Sequence, residues 1–97
     1  MALSKNDKIR VAFSINLKYY RIENNLTQFE LAERTNLTHK YISDLERNKF
    51  TPSLDTICDI ARVLNIEPYL LIKYDTSHFN TPTRLDTKTG TRKKVRL

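Results

Sequence analysis

An all-helical fold of five short helices is what this 97-residue chain predicts, and three observations predict it. Apolar residues recur at offsets of three and four in separate stretches, the period of a helix with one buried face. Residues that cap helix starts, Thr27, Thr38 and Ser53, stand immediately ahead of such stretches. Asparagines or a proline stand where one stretch must end before the next begins.

Residues 1–7 are polar and form a frayed end or a capping segment. From about Lys8 to Asn24, Ile9, Phe13, Leu17 and Tyr20 mark the inward face of a first helix, which Asn24 and Asn25 end. Thr27, followed by Glu30 three places on, spells a capping box, so a second helix starts there. Leu31 and Ala32 face inward, and Ala32 lets a neighbouring helix backbone approach closely. Asn36 closes that helix, since Asn tolerates the left-handed backbone that such a stop often requires. Thr38 then caps a third helix in which Ile42 and Leu45 continue the inward face, while His39, Lys40, Tyr41, Ser43 and Asp44 are left for an outer one. Pro52 cannot prolong the third helix, and Ser53 caps a fourth with the apolar stripe Leu54, Ile57, Ile60, Ala61 and Leu64, closed by Asn65. Glu67 and Pro68 open a short fifth helix running to about Tyr74, with Leu70 as its core anchor. Its apolar surface exceeds what one small core absorbs, so Tyr69, Ile72 and Val63 are candidates to face a second subunit.

Residues 1–74 therefore read as one domain, and residues 75–97 as a basic flexible tail. The tail is rich in Thr and holds the sole Gly, Gly90, and the run Arg92-Lys93-Lys94-Val95-Arg96. A weak hairpin around Gly90 is the alternative there. The net charge is +6, and four of those charges lie in the tail. A basic balance favours nucleic acid or another anionic surface as partner. The one cysteine, Cys58, rules out an internal disulfide framework and reads as a small core or half-core residue. No apolar run reaches the roughly 18 to 20 residues of a membrane span, and no signal-peptide core opens the chain. A cytoplasmic protein is the expectation. With two histidines, one cysteine and one glycine, the chain offers neither metal-ligand spacing nor a phosphate-cradling loop. Neither a catalytic residue, a metal nor a cofactor is expected.

Gln28, Ala32, Asn36, Leu37, Ile42 and Leu45 fall on helix-turn-helix spacing, and over about residues 13–72 the chain resembles the Cro and phage-repressor-like (XRE-type) family. Arg21 ahead of the motif (about residues 27–48), and Glu46-Arg47-Asn48-Lys49 and Pro52-Ser53-Leu54 after it, extend the likeness. Asn36 and Asn48 stand where that family most often has Gly. The resemblance implies a compact five-helix lambda-repressor-like DNA-binding domain. It implies a sequence-specific transcriptional regulator, working as a homodimer on double-stranded DNA, with the third helix in the major groove.

Carried over position by position, the resemblance makes His39, Lys40, Tyr41, Ser43 and Asp44 the residues facing base edges. Lys40 suits guanine O6 or N7, and Asp44 suits cytosine N4. Thr27, Gln28, Thr38, Asn48 and Lys49 become phosphate contacts, with the cap of the second helix an equal role for Thr27. Arg21 and Glu46 look like the family's ion pair between the first and third helices. Within the family, His39 to Ser43 and Leu45 to Asn48 look most like the small controller proteins of restriction-modification systems, which regulate their own operon. Excluding RNA polymerase from a promoter, or contacting it, would be the mechanism. Two other readings stand beside this one: an antitoxin-like protein whose tail binds a protein partner, and a non-specific RNA-binding basic protein.

Overall fold

The computed structural model describes residues 3–80. Its described residues form five α-helices and one 3-10 turn, without strands: α1 Lys5–Glu23, α2 Gln28–Thr35, α3 His39–Glu46, α4 Leu54–Leu64 and α5 Tyr69–Ile72, then Thr76–His78. The basic run 92–96 and the hairpin considered at Gly90 lie outside the described residues.

Helix α1 begins three residues earlier than the apolar period indicates, because the Ser4 hydroxyl accepts from the Asp7 N–H and caps it. Those added residues do not enter the core. Ile9, expected inside, is exposed, and the buried stripe begins at Ala12, Phe13, Asn16 and Leu17. Against it pack Leu26, Leu31 and Ala32, then Ile42 and Leu45, then Ile60, Ala61 and Leu64, with Leu71 closing the cluster. Two positions of the expected α4 surface differ. Leu54, in the first turn, is exposed, and so is Cys58. In α5 the anchor is Leu71, wholly buried, with Leu70 only half-buried.

Four helix ends share one device. Asn25, Asn36, Asn48 and Asn65 all have φ near +60°, the left-handed region. At each, the next residue's N–H reaches back five positions: Leu26 to Arg21 O, Leu37 to Ala32 O, Lys49 to Asp44 O and Ile66 to Ala61 O, at 2.9 to 3.1 Å. That bond satisfies a carbonyl which the last turn would leave open. After three of these turns an apolar residue, Leu26, Leu37 or Ile66, returns to the core. At the fourth, Lys49 and Phe50 follow, and the chain stays at the surface. Left-handed backbone at a β-branched residue costs on the order of 1–2 kcal/mol. Asn36→Val should therefore lose about that much in urea unfolding, whereas Asn36→Gly should stay within ~1 kcal/mol of the natural chain; equal losses for the two would refute this account of the turn.

The packed unit continues past Tyr74, where the sequence reading ends it. Buried Asn16 of α1 donates from Nδ2 to the carbonyls of Leu71 (3.1 Å) and Lys73 (2.7 Å). With its amide nitrogen so committed, Asn16 Oδ1 accepts, and His78 Nδ1 donates to it at 2.8 Å. The His78 ring is buried and stacks on Tyr19, with centroids 3.6 Å apart. One asparagine thus ties α5 and the 3-10 turn to α1.

Candidate nucleic-acid interface

The N-terminus of α2 is held by a complete capping box. Thr27 Oγ1 accepts from the Glu30 N–H at 3.0 Å, and a Glu30 carboxylate oxygen accepts from the Thr27 N–H at 2.9 Å. A hydroxyl that accepts keeps its own proton to donate, so capping and phosphate contact by Thr27 are compatible. Thr38 repeats the arrangement for α3, accepting from the Tyr41 N–H at 3.0 Å.

The angle at which α3 stands is set from behind, by a buried polar hub. Arg21 of α1 donates from Nε to Glu46 Oε2 (2.6 Å) and from Nη2 to Glu46 Oε1 (3.0 Å). Its Nη1 donates to the carbonyl of Leu26 at 2.9 Å. Gln28 of α2 adds a bond from Nε2 to Glu46 Oε1 at 3.0 Å. The side chains of Arg21 and Glu46 are 0% and 4% exposed. Charged groups so far from water persist only when every oxygen and N–H finds a partner. The pairing expected of Arg21 and Glu46 is thus present, and it is extended by Gln28, which the sequence assigns to phosphate alone.

On the outer side of α3, His39 and Lys40 are exposed and Ser43 is half-buried, while Tyr41, at the flank, is half-buried and packs in part against the core. The His39 ring lies edge-on to Phe29 of α2 (centroids 5.9 Å), and Tyr41 lies beside Phe50 (6.2 Å). Phe29 and Phe50 are both about half exposed. The resemblance enlists the main chain of Phe50 in a phosphate clamp with Asn48 and Lys49, but neither aromatic ring is assigned a role by the sequence. Asn48 and Lys49 are exposed, but their N–H groups are taken by the cap, bonding to Leu45 O and Asp44 O. Their side chains remain for contact.

Asp44 lies apart from the other residues assigned to base edges. The sequence places it among the residues reaching for base edges, yet its side chain is 4% exposed. Both carboxylate oxygens are occupied: Oδ2 accepts from Lys40 Nζ at 3.0 Å, and Oδ1 from Arg47 Nη2 at 2.6 Å. The hydrogen bonds from Lys40 and then Arg47 hold its carboxyl below the ordinary aspartate range. To reach cytosine N4 the group would have to break both. Arg47, 56% exposed, emerges in its place as a cation of this surface. The signal was in the sequence: Lys40 and Arg47 lie four before and three after Asp44, the spacings at which helical side chains meet.

The candidates for a second subunit lie elsewhere on the domain. Tyr69 and Ile72 are exposed, while Val63 is half-buried against the core. Among the described residues, no helix is long and apolar enough to cross a membrane, and no group of three His, Cys, Asp or Glu side chains is placed to hold a metal.

Comparison with known proteins bears on this surface. The family model described as Helix-turn-helix matches residues 17–71. The immunity repressor protein of Bacillus phage phi105 is 36% identical over 76 residues, which is 72% of this chain and 53% of that one. The chain thus spans about half the length of that repressor. The control protein C.BamHI of Bacillus amyloliquefaciens is 34% identical over 71 residues, covering 72% of this chain and 88% of the relative. Among solved structures, the hypothetical transcription factor NHTF from Neisseria superposes with a TM-score of 0.70 at 24% identity, over 81% of this chain and 90% of that one. That likeness is one of fold.

Proposed function

The chain belongs to the helix-turn-helix family of transcriptional regulators, and from that premise we propose that it binds a two-fold operator as a homodimer and controls its own operon. The observation that supports this most is the fixed presentation of α3. Its rear is locked to α1 and α2 through Arg21, Glu46 and Gln28, and its front carries His39, Lys40 and Tyr41. A major groove about 12 Å wide admits such a helix. His39, Lys40, Tyr41 and Ser43 then face base edges from its N-terminal half. Thr27, Gln28 and Thr38, at the starts of α2 and α3, and Asn48 and Lys49 beyond α3 meet the phosphates on either side. Polar side chains that contact phosphate set register and orientation without reading sequence.

The protein works without catalysis, in the cytoplasm, by occupying DNA and so excluding or contacting RNA polymerase. Control of a restriction-modification operon is the form favoured by the control protein, most of whose length the chain spans. Selection of duplexes from a random pool by the intact protein tests the proposal. Enrichment of a two-fold motif, with half-sites about one helical turn apart, is expected, and no enriched motif would overturn it. In the same assay Lys40→Ala should change the preferred sequence. Lys49→Ala should weaken all sequences alike and lower the salt slope by about one.

A further inference from the structure

The acidic residue of the reading helix has no obvious place on a surface that must approach phosphate. A carboxylate pointing at DNA would repel it, yet Asp44 sits in the last turn of α3. The structure resolves this by geometry. Lys40 Nζ and Arg47 Nη2 close over the carboxylate from the preceding and following turns, while their own side chains stay 82% and 56% exposed. An ammonium has three donors and a guanidinium five, so each cation spends one on Asp44 and keeps the rest for the outside. Two long flexible side chains are thereby gathered around one carboxylate. Their mutual repulsion is offset, and much of the rotamer freedom they would lose on binding is already gone.

We propose that Asp44 is a positioning residue, which holds Lys40 and Arg47 as one preorganised cationic pair for DNA contact and itself touches no base. The pair discriminates where two loose cations would not. A cation tied to a carboxylate gives little to an arbitrary phosphate, while fixed donors reward the matching base or phosphate geometry. This rests on the operator reading above.

The test is a mutant cycle on two probes, a duplex selected by the unaltered protein and a random-sequence duplex of equal length. Asp44→Asn keeps the size of the side chain, and Asp44→Ser provides a second variant should the first unfold. In the natural background the ratio of selected to random affinity should fall about tenfold. Random-duplex binding should strengthen, its salt slope rising by about one as a cation is released. With Lys40→Met and Arg47→Met already in place, the same change at Asp44 should move the ratio less than twofold. An undiminished effect in that background, or a clean switch of the preferred base at one position, would show that Asp44 reads DNA directly and would overturn the proposal. If the unaltered protein selects no duplex, the operator reading fails by itself. The Asp44 assignment is then decided on random duplex, where an unchanged salt slope refutes it.

Discussion

Arg21→Met is expected to lower the unfolding free energy by about 3–5 kcal/mol, the range found when one partner of a buried ion pair is removed. Domains of this size have about 5–15 kcal/mol in all, so the loss takes a large fraction of the total stability. The loss has several sources. Glu46 remains in place, 4% exposed, with only the Gln28 amide among the partners described above. The Leu26 carbonyl, just beyond the left-handed turn at Asn25, loses the guanidinium donor. Helix α3 loses its strut to α1, so surviving folded protein should also bind DNA less selectively. Urea unfolding at neutral pH measures the first effect. The double variant Arg21→Met with Glu46→Leu should recover a large part of the loss, because no buried charge is then left uncompensated. A loss under about 1 kcal/mol for Arg21→Met alone would mean that water reaches Glu46, contrary to its burial.

The second large effect concerns affinity. If the proposed homodimer forms through α5, Tyr69→Asp combined with Ile72→Asp should leave a monomer and weaken binding to a full two-fold site by about two to four orders of magnitude, the range by which linking two sites raises affinity. Binding to an isolated half-site should hardly change. Tyr69 is 61% exposed and Ile72 37%. Tyr74 and Phe79, in edge-on contact with each other, add further exposed aromatic surface beyond α5. Sedimentation and titration of full and half sites read the two effects separately. Unweakened full-site binding by the doubly substituted chain would remove α5 from the dimer interface.

Much of this architecture was legible in the residues. Capping at Thr27, Thr38 and Ser53 and left-handed turns at Asn36 and Asn48 are local chemistry, settled by a side chain and the few backbone groups within its reach. The buried faces of α2 and α3 followed from spacing, because Leu31, Ala32, Ile42 and Leu45 are the apolar positions of short amphipathic helices. Most of the misread core positions fall where a helix end or a single turn carries too little pattern, Cys58 inside α4 being the exception. Ile9, one turn into α1, and Leu54, the first residue of α4, match the helical period but stand beyond the core. In α5, four residues long, the period cannot tell Leu70 from Leu71.

Helical class, the starts of α2, α3 and α4 and the family can all be read along the chain, since each depends on neighbours within a turn or on a spacing kept over many residues. The contacts of Asn16, His78 and Gln28, and the burial of Asp44, arise only in the packed fold. Asn16 joins residues more than fifty positions apart, and Gln28 turns to Glu46 across two helices. Asp44 could reach either outward to a base or sideways to its own helix. Its neighbours along α3 were visible in the sequence, but the burial that holds its carboxylate beneath Lys40 and Arg47 exists only once α3 is packed.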